Sequence, residues 1–164
     1  MRASWVALSE PSGVRAVALA LVALAAVVGG PAAALDQNDL QRLQQMGDCQ
    51  GCDFSGGQLA GARLSGGNLA GANLEGADLR GASLVDVDLS NADVRDADLS
   101  GALVQNVSLR GAMLGGAVFT GTVFVGTDFS AAQGLTQWQL NAACDDQRAN
   151  VSSVPIPLSL PPCR

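Results

Sequence analysis

From Cys52 to Ala131 the chain places a large apolar residue at every fifth position and a small residue two positions before it. The stretch divides without insertion or deletion into sixteen pentapeptides, beginning CDFSG, GQLAG, ARLSG and ending TVFVG, TDFSA. The central position holds ten Leu, two Val (Val94, Val104) and all four Phe of the protein: Phe54, Phe119, Phe124 and Phe129. The small position holds nine Ala, two Gly, two Thr, two Val and Cys52, and the last position is Gly in eleven of the sixteen. Neither the 3.6-residue period of a helix nor the two-residue period of a strand gives this pattern.

A unit that turns two of every five side chains inward fits one flat side of a square coil. Such a side needs about five residues at ~3.3 Å each, corner included, so four sides close a coil of about twenty. The central residue and the small one then face the axis, and the fifth position becomes a corner that favours Gly, with Asp86, Asn91, Asp96 and Asn106 the next best tolerated. Coils stacked by backbone hydrogen bonds at ~4.8 Å make the repeats four coils, about 20 Å tall.

The A(D/N)LxG units, such as Ala72-Asn73-Leu74, Ala77-Asp78-Leu79 and Ala97-Asp98-Leu99, resemble the pentapeptide-repeat family. The flanks, Cys49-Gln50-Gly51-Cys52-Asp53 and Gly134-Leu135-Thr136 followed by Gln139-Leu140, resemble those of exported bacterial members. The resemblance implies an all-β solenoid, a right-handed quadrilateral β-helix of about four coils with short helical caps at both ends. Toward the C-terminus the sequence departs from the family pattern, with Leu103, Met113, Val118 and Val123 before the central residue where Asp or Asn is usual. That departure is expected to alter the surface and not the fold.

The remaining chain divides into a leader and two caps. Arg2 and Arg15 precede an uncharged Ala/Leu/Val run from Ala16 to Val28, then Gly29-Gly30-Pro31 and Ala32-Ala33-Ala34. This reads as a signal peptide, residues 1–34, cut after Ala34. The alternative, an uncleaved anchor, needs ~20 apolar residues, so no stable membrane span is expected after cleavage. Residues 35–51 form the N-terminal cap, with Leu40, Leu43 and Met46 on one stripe of a short helix over 36–47. Residues 132–164 form the C-terminal cap. There Thr136 with Gln139 makes a capping box and Leu135 with Leu140 a hydrophobic staple, predicting a helix from about Gln137 to Ala143. Trp138 or Leu140 is expected to seal the last coil, Trp138 being read as a seal before a ligand-stacking residue.

All four cysteines fall in or beside the caps. Ends ~20 Å apart cannot be bridged by a disulfide, whose Cα atoms must lie within ~7 Å, so the expected pairs are Cys49 with Cys52 and Cys144 with Cys163. Export to an oxidising compartment favours both, the second pinning the proline-rich tail. The same distance argument removes a four-cysteine zinc site.

Composition then narrows the chemistry. There is no His, which excludes Ser-His and Cys-His nucleophiles and histidine metal sites. Paired carboxylates such as Asp78 and Asp98 stand on a flat face with no pocket to split their pKa values, so no enzyme or cofactor is predicted. The acidic positions, Asp86 and Asp88 among them, lack a recognised calcium-loop spacing, so no metal site is assigned and calcium stays the alternative to a solvated face. The chain carries 15 Asp+Glu against 9 Arg; loss of Glu10, Arg2 and Arg15 with the leader leaves 14 and 7, a net of −7. Such a surface repels nucleic acid and anionic membranes.

Residues twenty apart share an outward column. Leu103 and Val123 fall in one, Val85 and Val125 in another on the same side, and an exposed apolar stripe of this kind marks a contact. Its occupant is either the tail, Val151 to Pro162, or a second molecule. Glu75 and Arg95 share a further column and should pair, while Asp78 and Asp98 stack as like charges. The function that fits is an exported, non-catalytic structural or protein-interaction module in the periplasm or outside the cell, binding an unknown protein or itself. The alternative is an acidic DNA mimic acting on a DNA-handling protein such as gyrase, as the resemblance implies for some members, and it requires a cytoplasmic protein.

Overall fold

The repeats wind into a square column in the computed structural model, which describes residues 43, 47–145 and 159–163. Each side stacks on the residue twenty positions further on, as in Asp53 with Asn73, Asn73 with Asp93 and Gln58 with Asp78, always in parallel. One side forms regular strands: β1 (Arg63–Ser65), β2 (Ser83–Val85), β3 (Leu103–Gln105), β4 (Val123–Val125) and β5 (Cys144–Asp145), paired in that order.

A single side chain distinguishes the strand side from the other three. Where Asp or Asn precedes the central residue, its Oδ1 accepts the backbone N–H two residues on, as in Asn73 to Glu75 (3.1 Å), Asp88 to Ser90 (2.9 Å) and Asp98 to Ser100 (2.9 Å). That bond closes a local turn. The strand side has Arg63, Ser83, Leu103 and Val123 at this position, and its backbone runs extended through three residues. Gln58, Ser108, Met113 and Val118 are neither Asp nor Asn yet keep their turns, stacked on neighbouring coils.

The fifth position is the corner. Asp86, Asn91, Asp96, Asn106 and Ala131 stand there with φ between 52° and 58°, the left-handed region. The central residues and the small ones two before them line a continuous core, with Leu69, Leu79, Leu84 and Leu114 at most 1% exposed. In the last coil Phe119, Phe124 and Phe129 meet edge to face at 5.4 and 5.1 Å between centroids. Thr122 and Thr127 take the small position there, and their buried hydroxyls donate to the carbonyls of Leu99 (2.7 Å) and Val104 (3.0 Å).

The ladder begins one repeat before Cys52. Gly47-Asp48-Cys49-Gln50-Gly51 is a further pentapeptide, with Asp48 stacked on Asn68 and Cys49 buried at the central position. Gly67 lies above it, and a Cβ there would stand 2.5 Å from the Gly47 carbonyl oxygen, which explains a second Gly in that repeat. Of the N-terminal helix expected over 36–47, Leu43 is described and buried; Leu40, Met46 and the signal peptide lie outside the described residues.

At the other end Ala132 and Gln133 continue one side, and the chain then leaves the coil at Gly134. Helix α1 (Gln137–Asn141) follows, with the capping box between Thr136 and Gln139 in place. Leu140 is fully buried and seals the column, whereas Trp138 is 80% exposed and does not. The reason is rotational. The box turns Gln139 inward, Leu140 follows 100° later, and Trp138 is left facing away. Gln139 is itself a plug: its Nε2 donates to the carbonyls of Leu114 (2.8 Å) and Ala117 (2.9 Å), and its Oε1 accepts from Thr136 N (2.8 Å). The chain then returns as β5, whose Cys144 pairs with Val123, a step of twenty-one residues instead of twenty.

Candidate interaction surface

The strand side carries two outward columns. One runs Arg63, Ser83, Leu103, Val123 and Cys144, the other Ser65, Val85, Gln105 and Val125. Val85, Leu103, Val123 and Val125 therefore lie together on one flat side, in the register expected from the twenty-residue period. Leu103 is 37% exposed; the other three are half-buried by their neighbours. The backing is rigid, since Leu84, Val104 and Phe124 stack directly behind them in the core.

Charge separates this side from the others. Between Arg63 and Val125 its outward strand positions hold one charge, Arg63, and no carboxylate. The three turn sides carry Asp53, Glu75, Asp78, Asp88, Asp93, Asp98 and Asp128. Two of these are clamped by arginines. Arg80 binds Asp78 through Nε (2.8 Å) and Nη2 (2.6 Å), and Arg95 grips Asp93 in the same fork while also reaching Glu75 at 3.2 Å. The expected Glu75–Arg95 pair across coils is thus present, secondary to a tighter pair within one repeat. The forked guanidinium holds each of the Asp78 and Asp93 carboxyls below the usual range, and the Ser55 backbone N–H does the same for Asp53. Asp78 and Asp98 stack as like charges; Arg80 pairs with Asp78 and is also favoured in its charged form by the more distant Asp98.

Both expected disulfides are formed, Cys49–Cys52 with Cα atoms 5.4 Å apart and Cys144–Cys163 at 4.9 Å. They differ in surroundings: Cys49 and Cys52 are 0% and 1% exposed, whereas Cys163 is exposed and Cys144 half-buried at the foot of the Leu103 and Val123 column. Tail residues Ser159 to Cys163 lie by the cap. Ser159 exchanges two hydrogen bonds with the Gln137 side chain (2.7 and 3.0 Å), and Leu160 packs against the core. The part of the tail expected to cover the strand side, 151–158, lies outside the described residues. Among the described residues no group of His, Cys, Asp or Glu is arranged to hold a metal ion.

A sequence profile of pentapeptide repeats matches in eight copies over 48–84, 67–105 and 105–133, together more than half of the chain. The chain belongs to the pentapeptide-repeat family. Its fold is the family's all-β solenoid, the right-handed quadrilateral β-helix. Among solved pentapeptide-repeat structures, QnrB1, a plasmid-mediated fluoroquinolone resistance protein, is 31% identical over 52% of this chain, with a TM-score of 0.49. This chain spans 44% of that QnrB1 chain. Rfr23 of the cyanobacterium Cyanothece 51142 is 23% identical over 69% of this chain and 97% of its own, with a TM-score of 0.40. A thylakoid-lumen member from Arabidopsis thaliana is 34% identical over 59% of this chain and 79% of its own, with a TM-score of 0.30. No curated protein matches the sequence.

Two features escaped the sequence reading. The Gly47–Gly51 repeat was hidden because Cys49 replaces the usual Leu or Phe, although its Gly ending kept the period. The strand side is the one set of every fourth repeat in which no member has Asp or Asn before the centre, a signal that appears only when repeats are compared in fours.

Proposed function

We propose that this pentapeptide-repeat protein is a non-catalytic, exported interaction module that engages a protein through its strand side. The observation that carries the reading is the contrast between that side, with Leu103, Val123, Val85 and Val125 in two columns and no carboxylate, and three acidic turn sides. An apolar stripe bordered by charge is the usual anatomy of a contact surface. Export is supported by the leader at 1–34 and by the pairing of all four cysteines, which suits a periplasmic or extracellular setting. The leader is expected to be absent from the mature protein.

Replacing Leu103 and Val123 by Ser tests the reading. Sedimentation and crosslinking from the native compartment should show loss of a partner or a change of mass. If instead only the tail is loosened, seen as faster amide exchange at Ser159 to Cys163, the stripe is an internal contact and the reading is overturned.

The acidic DNA-mimic reading is supported by the Asp78 and Asp98 stack, but weakened because Arg80 clamps Asp78 and Arg95 clamps Asp93 on the neighbouring side. An intact N-terminus on cytoplasmic protein would favour it.

A further inference from the structure

We infer that Cys144–Cys163 is a site of thiol–disulfide exchange with a dithiol reductant, whereas Cys49–Cys52 is closed to it while the column is folded. Exchange needs a thiolate to approach one sulfur along the S–S axis, so access decides which disulfide reacts. Cys49 and Cys52 occupy the central and small core positions of adjoining sides and are 0% and 1% exposed. Cys163 is exposed, and Cys144 is half-buried at an outward position of β5.

The chemistry balances as follows. One thiolate of the dithiol attacks Cys163 Sγ, the Cys144–Cys163 bond breaks, and Cys144 leaves as a thiolate that takes up a proton. The second thiol of the reductant then attacks the mixed disulfide, releasing Cys163 as a thiol. Two electrons pass to the protein, and the reductant becomes a disulfide.

The end of the column is closed upstream of this bond, and β5 keeps its own backbone pairing with β4. Gln139 plugs the end through the carbonyls of Leu114 and Ala117, Leu140 seals it, and both lie before Cys144. What the disulfide holds is the tail, to which, among the described residues, Leu160 adds packing against the core and Ser159 an exposed pair of hydrogen bonds with Gln137. Opening it therefore releases the tail from Cys144, the neighbour of Val123 in the sheet, and leaves the solenoid intact. The chemistry of the exchange does not rest on the proposed function; only the value of releasing the tail does.

The test uses the full-length oxidised protein, treated with dithiothreitol without denaturant, quenched with iodoacetamide and mapped by peptide mass spectrometry. Cys144 and Cys163 should be alkylated at least tenfold faster than Cys49 and Cys52. Over that interval the far-ultraviolet circular dichroism should stay constant, and amide exchange should rise only around residues 142–145 and 159–163. Labelling of all four cysteines at one rate, prior labelling of Cys49 and Cys52, or loss of the β signal as Cys144 opens would each overturn the inference. Cys163→Ser provides a second measurement: it should keep the native spectrum and the protection of Cys49 and Cys52, and loss of either overturns the inference as well.

Discussion

At the scale of the residue, the corner position sets the rules. Ala131 holds φ at 57° without the local hydrogen bonding that lets Asn or Asp tolerate it. Ala131→Gly should therefore stabilise the protein by about 0.5 to 1 kcal/mol, the left-handed strain of Ala outweighing the greater chain entropy of Gly, as read from urea denaturation. Two glycines separate strain from crowding. A Cβ on Gly121 meets nothing within 4 Å, so Gly121→Ala should cost the strain of its φ of 67° less the chain entropy regained, about 0.5 to 1 kcal/mol. A Cβ on Gly134 would also lie 2.8 Å from the Gly115 nitrogen, a backbone atom with no side-chain freedom to yield. Gly134→Ala should be the more damaging of the two in the same assay. The corner preference was readable from the sequence because it recurs every five residues, whereas the crowding at Gly134 was not, since its neighbour Gly115 is brought there only by stacking.

Among the elements, the C-terminal cap shows how far local signals reach. Thr136 and Gln139 announced the start of α1 through a motif confined to four residues, and the helix begins where that motif puts it. What Gln139 does next could not be read in the same way, because its acceptors lie 25 and 22 residues earlier in the chain. Of the two residues expected to seal the coil, Leu140 does and Trp138 does not, because on a single helical turn the capping box fixes the rotation. Gln139→Ala should cost about 3 kcal/mol, through lost hydrogen bonds and buried carbonyls left unmet. Trp138→Ala should fall within about 0.5 kcal/mol of the parent. Thermal and urea melts of the two variants distinguish them. The turn sides make a separate prediction about acid. Asp53, Asp78 and Asp93 are more acidic folded than unfolded, so each adds stability that is complete above the unfolded carboxyl value near ~4 and is lost as pH falls through the lower folded value. Urea melts should be flat above about pH 5 and weaken below about pH 4, and Asp78→Asn with Asp93→Asn should flatten that acid limb.

Over the whole molecule, the fold was legible because a five-residue period leaves few ways to bury two side chains per unit, and the disulfide pairing followed from the height of the column. The sides were not equivalent, however, and the distinction between strand and turn sides emerged only when four repeats were laid over the next four. Stability in such a column is a sum of coils and their interfaces. Removal of one entire turn, Ala82 to Gly101, should then leave a folded protein with both disulfides and a shorter hydrodynamic length. Removal of a single pentapeptide should not, because it would move every later residue onto the wrong side.

The step from Val123 to Cys144 has a different kind of consequence. Every earlier layer can template another, because a residue and its successor twenty places on are interchangeable in direction and spacing. The one added residue at the end shifts the phase, so that Cys144 pairs with Val123 where a strict repeat would have put residue 143. It works as a terminator, and it sets length independently of content. Relatives of any height could be generated by duplicating twenty-residue blocks upstream, with no change to the closing segment. Height would then be free to track the dimensions of whatever the column is measured against, while the machinery that ends it stays the same.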